Sequence, residues 1–336
     1  MSKKGEISVP PGLLLFKDNI LCKNNLFGIS SKSKWARELS IPAGGETIFF
    51  AGCGYQFLDE AKATLSLVLA LDKRDLPWEK TLWVTKRLNH LGINLGELYT
   101  KLISRSNLSG EPLRYASIVL QRIGVKFGSL FEEEPCCAAP LYYIGFQEEF
   151  ANKAIATHQF LQGKGVKKVI TMVPSCTFAL KNLFPIFVKG WGMEVHHFLE
   201  VVCEGIKRGV KFRFPNKVKV TYHDPCFMSR WLGLIEEPRH ILRSVEGVEF
   251  VEVEYGKGEW STCCGGGGGF EVIFPEVSHI LAMNRAKELL ETGASVIVTS
   301  CPGCLIQLSE GVKKLKAPEV EVIDMTQLLW RALPEE

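Results

Sequence analysis

The 336-residue chain lacks several features that would assign it to a common class. No apolar run reaches the roughly 18 residues of a membrane-spanning helix, and the N-terminus has no apolar stretch typical of a signal peptide. The formal net charge is only +3, so no strong field favours nucleic acid or an anionic membrane as a partner. These absences predict a cytoplasmic protein that would reach a membrane only through a partner.

A dinucleotide-binding fingerprint is also missing. The glycine-rich run, Gly265 to Gly269, follows two cysteines, and no GxGxxG lies between a first strand and a helix. Glycines without side chains let backbone N–H groups approach an anionic centre closely. We therefore predict Gly265 and Gly266, the glycines next to the cysteine pair, as cofactor-binding residues.

Cysteine, in contrast, is abundant, with eleven residues. In a chain predicted to be cytoplasmic, this number indicates metal binding or redox chemistry, because the cytosol keeps thiols reduced and disfavours structural disulfides. Nine of the cysteines belong to two groups along the sequence. Cys22 and Cys203 stand apart, and we expect both to be ordinary side chains without a chemical role.

The second half of the chain carries five of the grouped cysteines. They are Cys226, Cys263, Cys264, Cys301 and Cys304. Val218 to Tyr222 and Ser295 to Ser300 have the composition of strands, and a cysteine motif follows each of them. Five thiols exceed the four ligands of tetrahedral zinc, so the set favours an iron-sulfur cluster. Taken alone, the Cys301-Pro302-Gly303-Cys304 turn would suit a thioredoxin-like dithiol equally well.

The first half repeats this order of elements with one cysteine fewer. Residues 47–51 are predicted to form a strand before Cys53, and residues 147–162 a helix before a strand at 169–172. Val173 stands where the second half has Cys301, so four thiols remain. They are Cys53, Cys136, Cys137 and Cys176.

Strands that alternate with helices in both halves predict an α/β fold with parallel sheets. We expect two pseudo-symmetric, Rossmann-like domains over residues 46–215 and 216–336, after an N-terminal arm of residues 1–45. Residues 72–128 are rich in leucine and basic residues at helical spacing, which predicts a helical insertion in the first domain. Open α/β sheets bind ligands at the carboxyl ends of their strands, so we expect both cysteine sets there.

The motifs of the second half resemble those of a known family. Thr221-Tyr222-His223-Asp224-Pro225-Cys226, Cys263-Cys264-Gly265 and Cys301-Pro302-Gly303-Cys304 are together similar to the cysteine-rich CCG domain of heterodisulfide reductase catalytic subunits and related iron-sulfur oxidoreductases. The resemblance implies that the five cysteines hold a non-cubane 4Fe-4S cluster at which a disulfide is reduced. It also implies that both cysteine sets face one cleft.

The four-cysteine set departs from the family pattern, since Val173 replaces a ligand and Ala138 stands where the family usually has glycine. Four thiolates suit a cubane 4Fe-4S cluster, a 2Fe-2S cluster, a zinc ion, or a non-cubane cluster with one ligand missing. An empty, vestigial site is the remaining alternative. We therefore predict a second iron-sulfur cluster or zinc in the first domain.

His223, Arg230 and Arg239 are titratable or charged residues in the sequence around Cys226. His223 is a candidate catalytic residue, because an imidazole exchanges protons near neutral pH and could protonate a departing thiolate; it could also hydrogen-bond a cluster sulfur or satisfy backbone groups in the turn. Arg230 and Arg239 are expected to be solvated surface charges or contacts to an anionic substrate or partner.

Two functional hypotheses follow. The first is the catalytic subunit of a heterodisulfide-reductase-like complex, acting on a small disulfide or on a sulfur-carrier protein. The alternative is an electron-relay iron-sulfur subunit of a flavin- or quinone-linked dehydrogenase complex. Only Cys22 precedes a segment that resembles the linker after a two-cluster ferredoxin domain, so electrons are expected from a ferredoxin-like iron-sulfur subunit, with a flavoprotein subunit as a further partner.

Overall fold

The computed structural model describes residues 9–29, 33–63 and 110–334 of the chain. Within these ranges the strands are β1 (Thr47–Phe50), β2 (Lys168–Thr171), β3 (Glu194–His197), β4 (Phe212–Tyr222), β5 (Val245–Phe250), β6 (Val296–Thr299) and β7 (Glu321–Asp324). They form two sheets, with orders β1-β2-β3 and β5-β4-β6-β7, and every pair is parallel. The prediction of an α/β fold with parallel sheets is confirmed.

Helices follow most strands in the described ranges. They are α1 (Pro11–Lys23), α2 (Cys53–Gln56), α3 (Glu111–Arg122), α4 (Ala139–Tyr143), α5 (Gln147–Gly163), α6 (Pro174–Phe178), α7 (Phe184–Phe187), α8 (Phe198–Lys207), α9 (Glu236–Ser244), α10 (Phe270–Ile273), α11 (Pro275–Leu290), α12 (Pro302–Lys314) and α13 (Met325–Arg331). Residues 58–63 are also helical. Among these helices, none combines the length and the apolar character that a bilayer-crossing segment requires.

Short helical turns of other types complete the described part. Turns of 3-10 helix cover Ser33–Ala36, Phe131–Glu133 and Gly258–Trp260, and π-helical turns cover Ala179–Leu183 and Phe227–Trp231. Of the predicted insertion, residues 72–109 lie outside the described residues, whereas helix α3 falls in the remainder.

The strand residues just before the cysteine motifs are apolar or buried, as expected for parallel strands that are covered on both faces. β6 is buried along its whole length, and Ile48 and Phe49 of β1 are fully buried. Strand β4 begins earlier than predicted, at Phe212, and its pairing with β5 shifts register between Arg213 and Val218. Pro215 lies in that interval and lacks an N–H group for the ladder.

The predicted N-terminal arm contains a helix that the sequence pattern did not indicate. Helix α1 starts with Pro11 in its first turn and ends at Asn24, which adopts the left-handed conformation. Ile20 on this helix and Trp35 after it are buried in the main hydrophobic core. Part of the segment before residue 46 therefore packs on the first sheet.

Residues of both halves share this core. Val169 and Val298, from the two sheets, belong to one cluster of buried side chains. The Tyr55 hydroxyl donates a hydrogen bond of 2.5 Å to the buried carboxylate of Asp324, and the rings of Tyr115 and Trp330 stack at 4.4 Å. The two sheets are thus joined by packing as well as by the chain.

Candidate metal centre

Two neighbouring parallel strands carry cysteine motifs to the same edge of the second sheet. β4 ends at Tyr222 and leads to Cys226, which is the N-cap residue of a π-helical turn. β6 ends at Thr299 and leads to Cys301, the N-cap residue of helix α12. Because β4 pairs with β6, both motifs lie beyond the carboxyl ends of adjacent strands, as predicted.

The five thiols of the second half converge at this edge. The sulfurs of Cys264 and Cys304 are 3.2 Å apart. Cys301 hydrogen-bonds Cys304. Cys226 lies close enough to Cys301 and Cys264 for charge on their sulfurs to raise its pKa. Cys263 contacts Cys264, and every cysteine in the chain is a free thiol. The structure therefore brings together all five residues that were predicted as ligands.

The thiols of the second site differ in pKa. Hydrogen bonds from Cys263 and Cys304, with a further contribution from His223, lower the pKa of Cys264 well below its usual value. A hydrogen bond to Cys264 raises the pKa of Cys304, and burial raises that of Cys226 to about 11. The thiols thus form one hydrogen-bonded group with Cys264 at its centre, and a bound metal ion would replace their protons.

The glycine-rich loop closes tightly over the site. The Gly265 N–H group donates a hydrogen bond of 3.3 Å to the Cys263 sulfur, which is the kind of contact expected from the sequence. Gly265 has a φ of +84°, and a Cβ atom there would lie 2.2 Å from the Ser278 carbonyl oxygen, so only glycine fits. A Cβ at Gly266 would lie 2.9 Å from Gln307 on α12, so this glycine packs against the helix.

His223 is buried directly beside the thiols. One ring nitrogen of His223 and the sulfurs of Cys264 and Cys304 all lie within 4.8 Å of one another. The other side of the ring contacts Arg285 on helix α11, whose Nε donates a hydrogen bond of 3.0 Å to Nδ1. Arg285 was not predicted, because no cysteine or motif lies near it in sequence.

Arg239 is not a surface charge, and that expectation is wrong. Its guanidinium donates two hydrogen bonds, of 2.8 and 2.9 Å, to the carboxylate of Asp224, and both side chains are buried. Asp224 also accepts a hydrogen bond from the Gly258 N–H group. Arg230 donates to the carbonyl oxygens of Glu259 and Ser261. Both arginines therefore anchor the turn before Cys226 and the loop before Cys263.

The four cysteines of the first half also converge. The sulfurs of Cys137 and Cys176 are 2.9 Å apart, and Cys53 hydrogen-bonds Cys136. A hydrogen bond with Cys137 and burial raise the pKa of Cys136 to about 12. Burial raises the pKa of Cys176 to about 11, although its hydrogen bond with Cys137 acts in the opposite direction.

The side chains around the first site differ from those around the second. Phe50 stands three residues before Cys53, where the second half has His223 before Cys226. Glu134, which is buried, accepts hydrogen bonds from the N–H groups of Ala51 and Gly52 at 2.8 and 2.9 Å. Glu134 was missed because nothing in its local sequence connects it to Cys53.

The Ala138 N–H group contacts the Cys136 sulfur at 3.4 Å, as Gly265 does at the second site. Ala138 has a φ of +56°, so an alanine adopts the left-handed conformation at the position where the family usually has glycine.

A cluster of aromatic side chains lies between the two sites. The rings of Tyr143 and Phe227 are 4.9 Å apart, and Phe178 contacts both Phe227 and Trp231. Burial raises the pKa of Tyr143, and thiols of both cysteine sets add to the shift. Tyr143 was not predicted, and its position shows that the two sets face a common region.

The comparisons with known proteins agree with this geometry. The model of the cysteine-rich domain named CCG matches residues 102–181 and 220–309, which together make up half of the chain. The chain therefore belongs to the CCG cysteine-rich domain family and carries two copies of the domain. This confirms the family resemblance. All five thiols of the second site fall in the second match, whereas Cys53 precedes the first.

Several known proteins are similar to the chain. A dihydromethanophenazine:CoB–CoM heterodisulfide reductase subunit of Methanosarcina barkeri is 35% identical over 65% of this chain and 54% of its own length. The EtfAB:quinone oxidoreductase of Syntrophomonas wolfei is 34% identical over 64% of this chain and 31% of its own length. The chain thus spans about half or less of these two relatives.

A shorter relative is covered more fully. Lactate utilization protein A of Oceanobacillus iheyensis is 30% identical over 63% of this chain and 86% of its own length. Among solved structures, a hypothetical protein from Helicobacter pylori reaches a TM-score of 0.48 at 11% identity, covering 67% of this chain and 46% of that one. That similarity is too low to establish a shared fold.

Proposed function

We propose that the chain is the catalytic subunit of a heterodisulfide-reductase-like complex, and that it reduces a disulfide at a non-cubane 4Fe-4S cluster held by the second site. The observation that carries this proposal is the convergence of five thiols at one sheet edge. The name of the Methanosarcina relative, a heterodisulfide reductase subunit, supports the reaction class. The substrate class is a small disulfide or a sulfur-carrier protein.

The donor set fits such a cluster. Five free thiols meet where tetrahedral zinc would use four, and hydrogen bonds from its neighbours lower the pKa of one of them, Cys264. Cys263 is exposed, and Cys226 and Cys301 are partly exposed, so a substrate has access to this side of the site. When bound, the cluster supplies one-electron redox chemistry and iron with an affinity for sulfur.

The protein's own residues position and stabilise what binds there. Reduction of a disulfide consumes two electrons and two protons and releases two thiols. The Gly265 N–H group stabilises negative charge on the Cys263 sulfur. The His223 ring faces the Cys264 sulfur on the buried side of the site. The rings of Tyr143 and Phe227 would form an apolar wall beside the substrate.

The first site would hold a second iron-sulfur cluster or a zinc ion. Its four thiols suit either group, and three of them are buried. Such a closed site fits a relay or a scaffold better than a place for substrate.

The two halves would be pseudo-symmetric, Rossmann-like domains over residues 46–215 and 216–336, the first with a helical insertion. The segment at Gly128 bridges β1 in parallel, on the side away from β2. This gives the order Gly128 segment, β1, β2, β3, which corresponds to β5, β4, β6, β7. In both series the two middle strands lead into cysteine motifs: β1 and β2 lead to Cys53 and Cys176, and β4 and β6 lead to Cys226 and the Cys301–Cys304 turn.

Partners follow from the reaction, because the electrons must be delivered. A ferredoxin-like iron-sulfur subunit is the proposed donor, with a flavoprotein subunit as a further partner. Crosslinking mass spectrometry of the complex purified from its source tests docking through residues 72–128 or the N-terminal arm. A copurifying donor that crosslinks elsewhere would refute this docking site and leave the cluster assignment intact.

The alternative function is an electron relay in a flavin- or quinone-linked dehydrogenase complex. The similarity to the EtfAB:quinone oxidoreductase favours it. In that role the second site would pass electrons to a flavin or quinone in a partner without binding a thiol or disulfide.

Metal analysis of anaerobically purified protein tests the proposed cofactor. We expect about four irons per chain if only the second site is filled, and about eight if both sites hold 4Fe-4S centres. One equivalent of zinc with four irons would identify the first site as a zinc site. Protein that is folded and contains no iron would overturn the proposal.

A further inference from the structure

Arg285 is a buried cation that the proposed function does not use, and it contacts the His223 imidazole at the second site. We infer that Arg285 is a positioning residue that fixes His223 as a hydrogen-bond donor, through Nε2–H, to the sulfur of Cys264. This inference rests on the proposed function and deepens it, because it assigns His223 a hydrogen-bonding role in place of proton transfer.

The contact itself determines the tautomer. Arg285 Nε lies 3.0 Å from His223 Nδ1, and a guanidinium has only donors. Nδ1 must therefore accept, so it carries no proton, and the proton of the neutral ring is on Nε2. An imidazolium would direct a second N–H group at the arginine and lose this bond.

Burial holds the arrangement in place. His223 is 1% exposed and Arg285 is fully buried. Nη1 of Arg285 donates a hydrogen bond of 2.7 Å to the carboxylate of Glu288, which anchors the guanidinium. Nη2 is buried without a hydrogen-bond partner among the described residues. A buried cation with an unpaired N–H group lowers the stability of the fold. Orientation of the His223 ring gives this cation a function that accounts for its presence.

The other ring nitrogen faces the thiols. With Nδ1 occupied by Arg285, Nε2 is left for the Cys264 and Cys304 sulfurs, which lie within 4.8 Å of the ring atom and of each other. A neutral ring that released its Nε2 proton would become an anion, so His223 is a poor proton source here.

The same device is absent from the first site among the described residues, since Phe50 takes the place of His223. The inference therefore predicts a property of one site alone. A donor to a cluster sulfur stabilises the more reduced state, so losing that donor should move the midpoint potential of the second site to more negative values.

The test is a redox titration followed by electron paramagnetic resonance on anaerobically purified protein. Arg285→Met and His223→Phe should each shift the second-site potential to more negative values with the iron content unchanged. The double variant should shift no further than His223→Phe alone, because Arg285 acts through the ring. Lys287→Met, which removes an exposed cation from the same helix, is the control and should leave the potential unchanged.

Two results would overturn the inference. One is an unchanged potential in Arg285→Met, and the other is additive shifts in the double variant, which would indicate a general electrostatic or structural effect. If wild-type protein contains no iron, the proposed function fails separately.

If wild-type protein contains no iron, or if Arg285→Met or His223→Phe does not fold, ¹⁵N NMR of metal-free, histidine-labelled wild-type protein tests the inference instead. The His223 signal is identified by its loss in His223→Gln. A neutral ring protonated at Nε2 is expected, and a ring protonated at Nδ1 would refute the inference.

Discussion

The two cysteine sites have a similar backbone and different surrounding side chains. In each, cysteine motifs follow two adjacent parallel strands, and a backbone N–H group two residues after the first cysteine of the adjacent pair reaches its sulfur, at 3.3 Å from Gly265 and 3.4 Å from Ala138. The second site adds Cys301 and His223 where the first has Val173 and Phe50. The fold thus brings thiols together, and the flanking residues decide what they can do.

The thiols of the second site are also more exposed to solvent than those of the first. The second site has one exposed and two partly exposed thiols, whereas the first has three buried thiols and only Cys53 partly exposed. A reactive centre must admit substrate, and a structural or relay centre must retain its metal. We therefore expect changes at the second site to abolish the chemistry and matched changes at the first to spare part of it.

The largest effect is expected from Cys264→Ser. Serine offers iron a harder ligand that is mostly protonated, so the cluster should be lost or distorted. Disulfide reduction should fall by more than about 100-fold, beyond the range typical of changes outside the ligand set. Activity assays and the paramagnetic signal of the second site measure this.

The matched first-site variant is Cys176→Ser, which should alter only the first-site metal and leave the second-site signal. Cys203→Ser, which changes a buried cysteine outside both sites, is the control and should keep both signals and the activity. Wild-type activity in Cys264→Ser would remove the second site from the mechanism.

A second prediction compares the two loop positions. Gly265→Ala should destabilise the protein by about 3 kcal/mol or more, because a left-handed alanine would also place Cβ against the Ser278 carbonyl oxygen. Ala138→Gly should change stability by less than about 1 kcal/mol, since relief of the left-handed alanine offsets the loss of a buried methyl group. Denaturation midpoints of anaerobically purified protein measure both.

Equal losses of stability at the two positions would show that the first loop depends on Ala138 for packing. That outcome would weaken the correspondence between the two loops, whereas the predicted asymmetry would strengthen it.

The smallest effect concerns pH and metal uptake. The pKa values of Cys136 and Cys176, about 12 and 11, keep these thiols protonated at neutral pH, so metal binding must release their protons. Because the pKa of Cys264 is lowered, we expect the second site to release fewer protons than the first for the same number of thiolates. Affinity should fall as pH falls at both sites, and more steeply at the first.

Zinc titration of metal-free protein between pH 7 and 9 checks this, with the double variant Cys263→Ser/Cys264→Ser reporting the first site and Cys136→Ser/Cys137→Ser the second. The slopes should differ by about tenfold in affinity per pH unit. A steeper dependence at the second site would contradict the assigned protonation states.

The elements next to the cysteines could be predicted from sequence because their signals are local. The strands before Cys226 and Cys301 are short β-branched runs that end in a cysteine motif, and both were found. Helix α1 was missed, because it has apolar residues without a clear period and is held by packing.

The partners of the sites could not be predicted, because tertiary packing brings them from distant parts of the chain. Arg285 lies 62 residues from His223, and Glu134 lies 82 residues from Gly52. The same holds for Arg239, whose sequence suggested a solvated helix face and whose side chain is buried against Asp224. Burial and pairing of such charges depend on which surfaces meet, which a single sequence does not show.

The measurement that tests the central claim most directly is electron paramagnetic resonance of the one-electron-oxidised protein with and without added thiol. We expect the thiol to change the signal in wild-type protein and in the first-site variant Cys176→Ser, and to have no effect in Cys264→Ser. A signal that never responds to thiol would contradict the claim and favour the electron relay. A response that survives in Cys264→Ser and is lost in Cys176→Ser would assign substrate binding to the first site instead.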